Sequence, residues 1–232
     1  MGPHIQFCEP KHDVLPFIGE FWNTFSNVPY LVVAILHARQ QQSLAVATAA
    51  VGLGSMFFHA TQLRGAEYVD EGAMLWLSLG LLQHTLSPLE WGVAVWGTCG
   101  TTLLYLGTEN YLWFMSTFGA LILLLAATVP SRAARLTMLT AAVCWCIERM
   151  YCAQSPTLFV CHGLWHVASA YSVHYVLVYI KGGASSADSD GGLRRAPQET
   201  TPPARDPGER SHEVDRKKVE ALGGTRSGIC HL

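Results

Sequence analysis

Three histidines and a carboxylate stand at metal-ligand spacing in a strongly apolar chain. His162 and His166, in Cys161-His162-Gly163-Leu164-Trp165-His166, are i and i+4, so on a helix they share one face. His59 closes the stretch Gly52-Leu53-Gly54-Ser55-Met56-Phe57-Phe58-His59, and Asp70-Glu71 follow it. Ser55 lies one helical turn before His59. A catalytic zinc takes three protein ligands, keeps one position open for water and works with a base. Imidazoles suit zinc, and also copper or iron, better than they suit calcium. A lone histidine in an apolar helix is ordinarily packed and hydrogen-bonded, and His37, His84 and His174 read that way. His4, His12, His212 and His231 read as solvent-side residues.

The elements that must position these groups are long and apolar. Half of the 232 residues are hydrophobic, the net charge is -2, and the mean hydropathy is +0.24. So small a charge gives no sign of nucleic-acid binding. Residues 1–182 carry only 7 Lys/Arg and 9 Asp/Glu, whereas the last 50 carry 8 of each. The first part reads as one membrane domain. The second, 183–232, is rich in Gly, Ser, Pro and Arg and reads as a disordered polar tail. About 20 apolar residues span a bilayer. Seven such segments fall near 17–38, 44–62, 67–86, 90–106, 110–129, 134–150 and 158–180. The fold class is therefore an all-α integral membrane protein, a seven-transmembrane-helix bundle with short loops. Glu20, Asn23, Asp70, Glu71 and Glu148 interrupt apolar runs and should face the bundle interior. No cleaved signal peptide is expected from the N-terminus.

Lys and Arg in the short loops weakly favour an N-terminus outside the cytosol and a C-terminus inside it. Cys8 and Cys152 then both face the side where disulfides persist, and a bridge between them is expected to tie the N-terminal segment to the loop before the seventh helix, with two free thiols as the alternative. Cys99, Cys144, Cys146 and Cys161 read as small core residues. In this orientation His59 ends the second helix, Asp70 lies near the start of the third, and His162 and His166 open the seventh. Groups from three helices thus reach one membrane depth.

These residues resemble the alkaline ceramidases, a family of seven-helix membrane amidases related to the adiponectin-type receptors. The resemblance is carried by Ile18-Gly19-Glu20-Phe21-Trp22-Asn23-Thr24-Phe25-Ser26-Asn27, by Gly52–His59 with Asp70-Glu71, and by His162-Gly163-Leu164-Trp165-His166. A weaker block runs from Cys144 to Cys152, where Glu148 stands at a position the family usually fills with Asp. It implies that His59, His162 and His166 hold zinc, that Asp70 acts on the zinc's water, and that Ser55 assists at the oxyanion. The implied reaction is hydrolysis of the amide bond of ceramide, or a related N-acyl sphingoid base, to sphingosine and fatty acid within the membrane. The implied partners are that lipid and the bilayer, with no protein partner legible. The location expected is the endoplasmic reticulum or Golgi, with the N-terminus lumenal. A zinc-containing receptor of the adiponectin-receptor type, or a catalytically silent family member, is the alternative.

One segment departs from the family pattern. The relatives resemble one another in a calcium-binding Asp-Trp-Cys-Glu-x-Asn stretch followed by a glutamate. Here the stretch reads Gln6-Phe7-Cys8-Glu9-Pro10-Lys11, with Glu20 further on. Glu9 and Glu20 could still hold Ca2+, but an acid has become Gln6 and an amide has become Lys11, which weakens such a site. Lys11 pairing with Glu9 or Glu20 would put an ammonium in place of the ion. Two acids simply solvated at the interface would look the same in sequence.

Overall fold

A computed structural model describes residues 2–191. The described residues are helical, with no strand among them. They form α1 (Phe21–Phe25), α2 (Val28–His37), α3 (Gln42–Thr61), α4 (Arg64–Leu82), α5 (Pro88–Thr108), α6 (Tyr111–Thr128), α7 (Arg132–Tyr151) and α8 (Phe159–Gly191), with a 3-10 turn at Pro156–Leu158 before α8. Six of the seven expected segments match one helix each. The segment 17–38 does not, because it is two helices that meet at Ser26-Asn27. Pro29 lies in the first turn of α2, and having no N–H it cannot continue the ladder from α1. α8 also runs nine residues past the expected boundary at 182. The rest of the expected tail, 192–232, lies outside the described residues.

Chemistry at the helix starts sets several boundaries. The Ser87 hydroxyl accepts from Glu90 N–H while the Glu90 carboxylate accepts from Ser87 N–H, a reciprocal cap ahead of α5. The Asn110 and Ser131 side chains cap α6 and α7 by accepting from Leu112 N–H and Ala134 N–H, without the return bond. The helices pack mainly as sequence neighbours: α2 on α3, α3 on α4, α5 on α6, and α7 along α8. The apolar core includes Leu82, Leu125, Val176 and Leu177.

Polarity is distributed inside out. Ile35, Trp96, Leu103 and Leu123 are each more than 70% exposed, while Glu20, Asn23, Asn27, His59, Glu67 and Glu148 are almost completely buried. A water-soluble domain shows the opposite tendency. Among the described residues two helices, α3 and α6, are long and apolar enough to cross a membrane by length and composition. Cys99 and Cys146 are exposed rather than in the core. On a helix whose outer face is apolar, a small apolar residue has no reason to point inward.

Glycine sets the closest helix approach. A Cβ on Gly54 would lie 3.2 Å from the Asp70 Cα, so α3 and α4 touch backbone to backbone beside the residues of interest. Gly72, on the exposed face of α4, has nothing within 4 Å of such a Cβ. Gly54→Val should therefore push α4 outward and destabilise by about 1–3 kcal/mol, the usual cost of overpacking. Gly72→Ala should stabilise by about 0.5–1 kcal/mol through helix propensity alone. Thermal denaturation of the two purified variants checks the contrast, and equal effects would contradict the close approach.

Candidate metal centre

The antiparallel pairing of α3 with α4 brings the end of one beside the start of the other. His59 lies in the last turn of α3 and Asp70 in the second turn of α4, while His162 and His166 open α8. One ring nitrogen from each histidine lies within 4.8 Å of the others, and all three residues are buried. The His59 and His162 Nε2 atoms are 3.3 Å apart.

Each imidazole is fixed through its other nitrogen. His59 Nδ1 bonds Glu20 Oε2 at 2.5 Å, and His162 Nδ1 bonds Glu148 Oε2 at 2.8 Å. A carboxylate accepts, so in both rings Nδ1 carries the proton and Nε2 carries the lone pair. His166 Nδ1 lies 2.7 Å from Ser26 Oγ. The Ser26 hydroxyl donates to Asn23 O at 3.0 Å, so it accepts from the histidine. His166 Nε2 is then buried with no partner. Three lone pairs thus face one small space. Two of them at 3.3 Å repel each other unless a cation lies between. A tetrahedral ion with bonds of about 2.0–2.1 Å holds its nitrogens roughly 3.3 Å apart. The donor set therefore fits a metal ion.

The orienting groups are in turn held by backbone. Gly19 N–H bonds Ala60 O at 2.8 Å and Glu20 N–H bonds His59 O at 2.9 Å, which sets Glu20 beside the end of α3. A side chain on Gly19 would meet Gln62, so this approach requires glycine. Cys8 N–H donates to Glu148 Oε1 at 3.0 Å, and a disulfide joins Cys8 to Cys152 at the end of α7. The Phe7 ring centroid is 4.0 Å from that of His162. An irregular N-terminal segment thus lies across the histidines and satisfies one of their carboxylates.

The same segment accounts for Glu9, Lys11 and Glu20. Glu9 accepts from the first-turn amides of α1, Trp22 N–H at 2.6 Å and Asn23 N–H at 2.8 Å. Lys11 Nζ pairs with Glu20 Oε1, the oxygen not used by His59. Burial lowers the Lys11 ammonium to about 8 against the opposing pull of Glu9 and Glu148, which leaves it charged at neutral pH.

Asp70 is buried and lines a cavity of about 310 Å³ together with His59 and His162. Ser55 lies beside the Asp70 carboxyl but outside hydrogen-bond geometry; Ser55 Oγ and Asp70 Oδ1 are both buried without a partner. The other cavity walls are apolar and include Met74, Phe118, Met138 and Trp145.

Several roles escape sequence reasoning. Ser26 holds His166 from the break between α1 and α2, with its hydroxyl anchored on Asn23 O, and no sequence spacing announces that pairing. Glu148 is legible as a buried acid in an apolar run, though its partner is not. His4 is not a solvent-side residue. Its Nδ1 lies 3.0 Å from buried Glu67, which also accepts from His4 N–H and Ile5 N–H. His37 and His174 bond one another at 3.1 Å, away from the centre.

Comparison with known proteins gives a consistent result. A family model described as Ceramidase matches residues 3–191. An "Alkaline ceramidase" of Arabidopsis thaliana is 27% identical over 203 residues, covering 72% of this chain and 78% of that protein. An "Alkaline ceramidase" of Drosophila melanogaster is 26% identical over 211 residues, covering 75% of each. The match to "Alkaline ceramidase 1" of Homo sapiens is 32% identical over 84 residues, and spans 32% of each chain.

If Glu148 orients His162, Glu148→Ala should weaken metal binding by about tenfold to a hundredfold, the usual effect of removing such a partner. Chelator competition on the purified protein measures this. Unchanged affinity would show that Glu148 serves only Cys8.

Proposed function

The chain belongs to the ceramidase family, and from that premise we propose that it is a zinc-dependent membrane amidase that cleaves the amide bond of ceramide, or a close N-acyl sphingoid base, to the sphingoid base and a fatty acid. The observation that carries this reading is the set of three oriented, buried imidazoles beside an unpartnered aspartate, at the end of an apolar cavity. Zinc, once bound, would polarise the amide carbonyl and lower the pKa of water towards neutrality. His59, His162 and His166 would hold it through Nε2. The Asp70 carboxylate takes the proton of the attacking water and later returns it to the departing nitrogen. The Ser55 hydroxyl donates to the carbonyl oxygen as that oxygen gains charge. The apolar cavity walls take a hydrocarbon chain and keep bulk water out.

The inside-out polarity supports a seven-span membrane bundle, in which α1 and α2 together make the first span. Such a substrate arrives through the bilayer. A lumenal N-terminus, in the endoplasmic reticulum or Golgi, fits the Cys8–Cys152 bridge.

Calcium has no vacant place in this reading. Glu9 is taken by two amides, and Lys11 gives Glu20 the positive charge that a divalent ion would otherwise supply. Two carboxylates and one ammonium sum to -1, which holds a divalent cation poorly against its hydration.

Two outcomes are expected. Asp70→Asn should lose at least about a hundredfold in turnover, the scale of general-base removal, with metal content unchanged. Ceramide turnover and elemental analysis on one preparation test this, and near-normal turnover would move the base elsewhere. Activity should also be insensitive to a calcium-selective chelator, whereas Gln6→Asp combined with Lys11→Asn should create calcium dependence. Activity that collapses on calcium removal and returns on its addition would overturn the role given to Lys11.

A further inference from the structure

The acidic lining of the cavity comes from one helix. Glu67, Asp70 and Glu71 of α4 all line it, and all three are buried. Glu67 is saturated by His4 and Ile5, as described above. Asp70 has its place beside Ser55 and the histidines. Glu71 has neither arrangement. It is 5% exposed, and neither Oε1 nor Oε2 has a hydrogen-bond partner. Leaving a buried carboxylate without donors is expensive, and proteins ordinarily supply them. Here the nearest protein hydroxyl, that of Tyr105, lies 3.3 Å from His4 Nδ1 and reaches Glu71 without hydrogen-bond geometry, and the Glu71 side chain borders a cavity where a ligand's donors can enter.

We propose that Glu71 is a specificity-determining residue that accepts hydrogen bonds from the hydroxyl groups at the head of a sphingoid-base substrate. This rests on the reaction proposed above. In an N-acyl sphingoid base the carbon bearing the scissile nitrogen is flanked by two hydroxyl-bearing carbons. When the amide is at Asp70, those hydroxyls are the O–H donors nearest to it, and Glu71 is the adjacent residue with two free acceptor oxygens. The same lining discriminates. A phosphate on either hydroxyl would meet two acidic side chains, Glu67 and Glu71, and no Lys or Arg to pair with, so its burial there is uncompensated. Free hydroxyl heads are therefore accepted and phosphorylated heads refused.

The test compares kcat/KM for an N-acyl sphingosine with its 1-deoxy and 3-deoxy analogues, in wild type, Glu71→Ala and Glu71→Gln. An analogue that leaves this buried side chain without its partner should be disfavoured in wild type by roughly tenfold to a hundredfold. Glu71→Ala should bring that ratio close to one, chiefly through KM, with metal content unchanged. Glu71→Gln keeps the shape and one neutral acceptor, so its ratio should fall part of the way; it serves as the comparison if the alanine variant does not fold. Discrimination unchanged in both variants, or no discrimination in wild type, overturns the assignment of Glu71. Wild type that cleaves none of the three lipids overturns the proposed reaction itself, which is a separate result.

Discussion

Everything around the centre depends on fixing three imidazoles through Nδ1. A free imidazole can present either nitrogen, and a buried one must satisfy both. Glu20, Glu148 and Ser26 take the Nδ1 protons, which leaves three lone pairs with no protein partner at one point. Burying two carboxylates to do this carries a large desolvation cost. Much of the remaining structure offsets that cost. Glu148 takes a second bond from Cys8 N–H, and Glu20 a second partner in Lys11.

The N-terminal segment is therefore part of the site rather than a leader to it. It touches four buried acids through His4 and Ile5, Cys8, Glu9 itself, and Lys11. Its covalent tie to Cys152 keeps the Cys8 amide on Glu148. Two of these contacts lie at the start of α1 and the others reach α4 and α7, so the segment couples three helices at the end where the histidines converge. A chain with its polar groups inside and its apolar groups outside needs such cross-links. In an apolar medium, packing between helices gains little from the hydrophobic effect, and buried polar contacts and close approaches hold the helices instead.

Backbone geometry supplies the rest of the alignment. Gly54 lets α3 meet α4 at Asp70, and Gly19 lets the α1 approach bond the end of α3 beside His59. The break at Ser26-Asn27, just ahead of Pro29, is where Ser26 meets His166. Chemistry and architecture meet at that break.

The sequence determined the helix pattern, the candidate ligands and their common depth. Apolar runs separated by short loops dictate antiparallel neighbours, and an HxxxH pair fixes a shared face; neither needs a partner to be legible. His59, Asp70, His162 and His166 are visible for that reason, as are the isolated acids. The tertiary structure alone decided which acid serves which imidazole. Glu20 and His59 lie far apart in sequence, as do Glu148 and Cys8, and Ser26 and His166. Such pairings depend on how helices rotate about their axes and on a loop that follows no periodicity. It likewise decided that Lys11 rather than the solvent partners Glu20, that His4 is buried on Glu67, and that Glu71 has no partner of its own. A residue's type and spacing state what it can do; only the packing around it states which of its atoms remain free to do it.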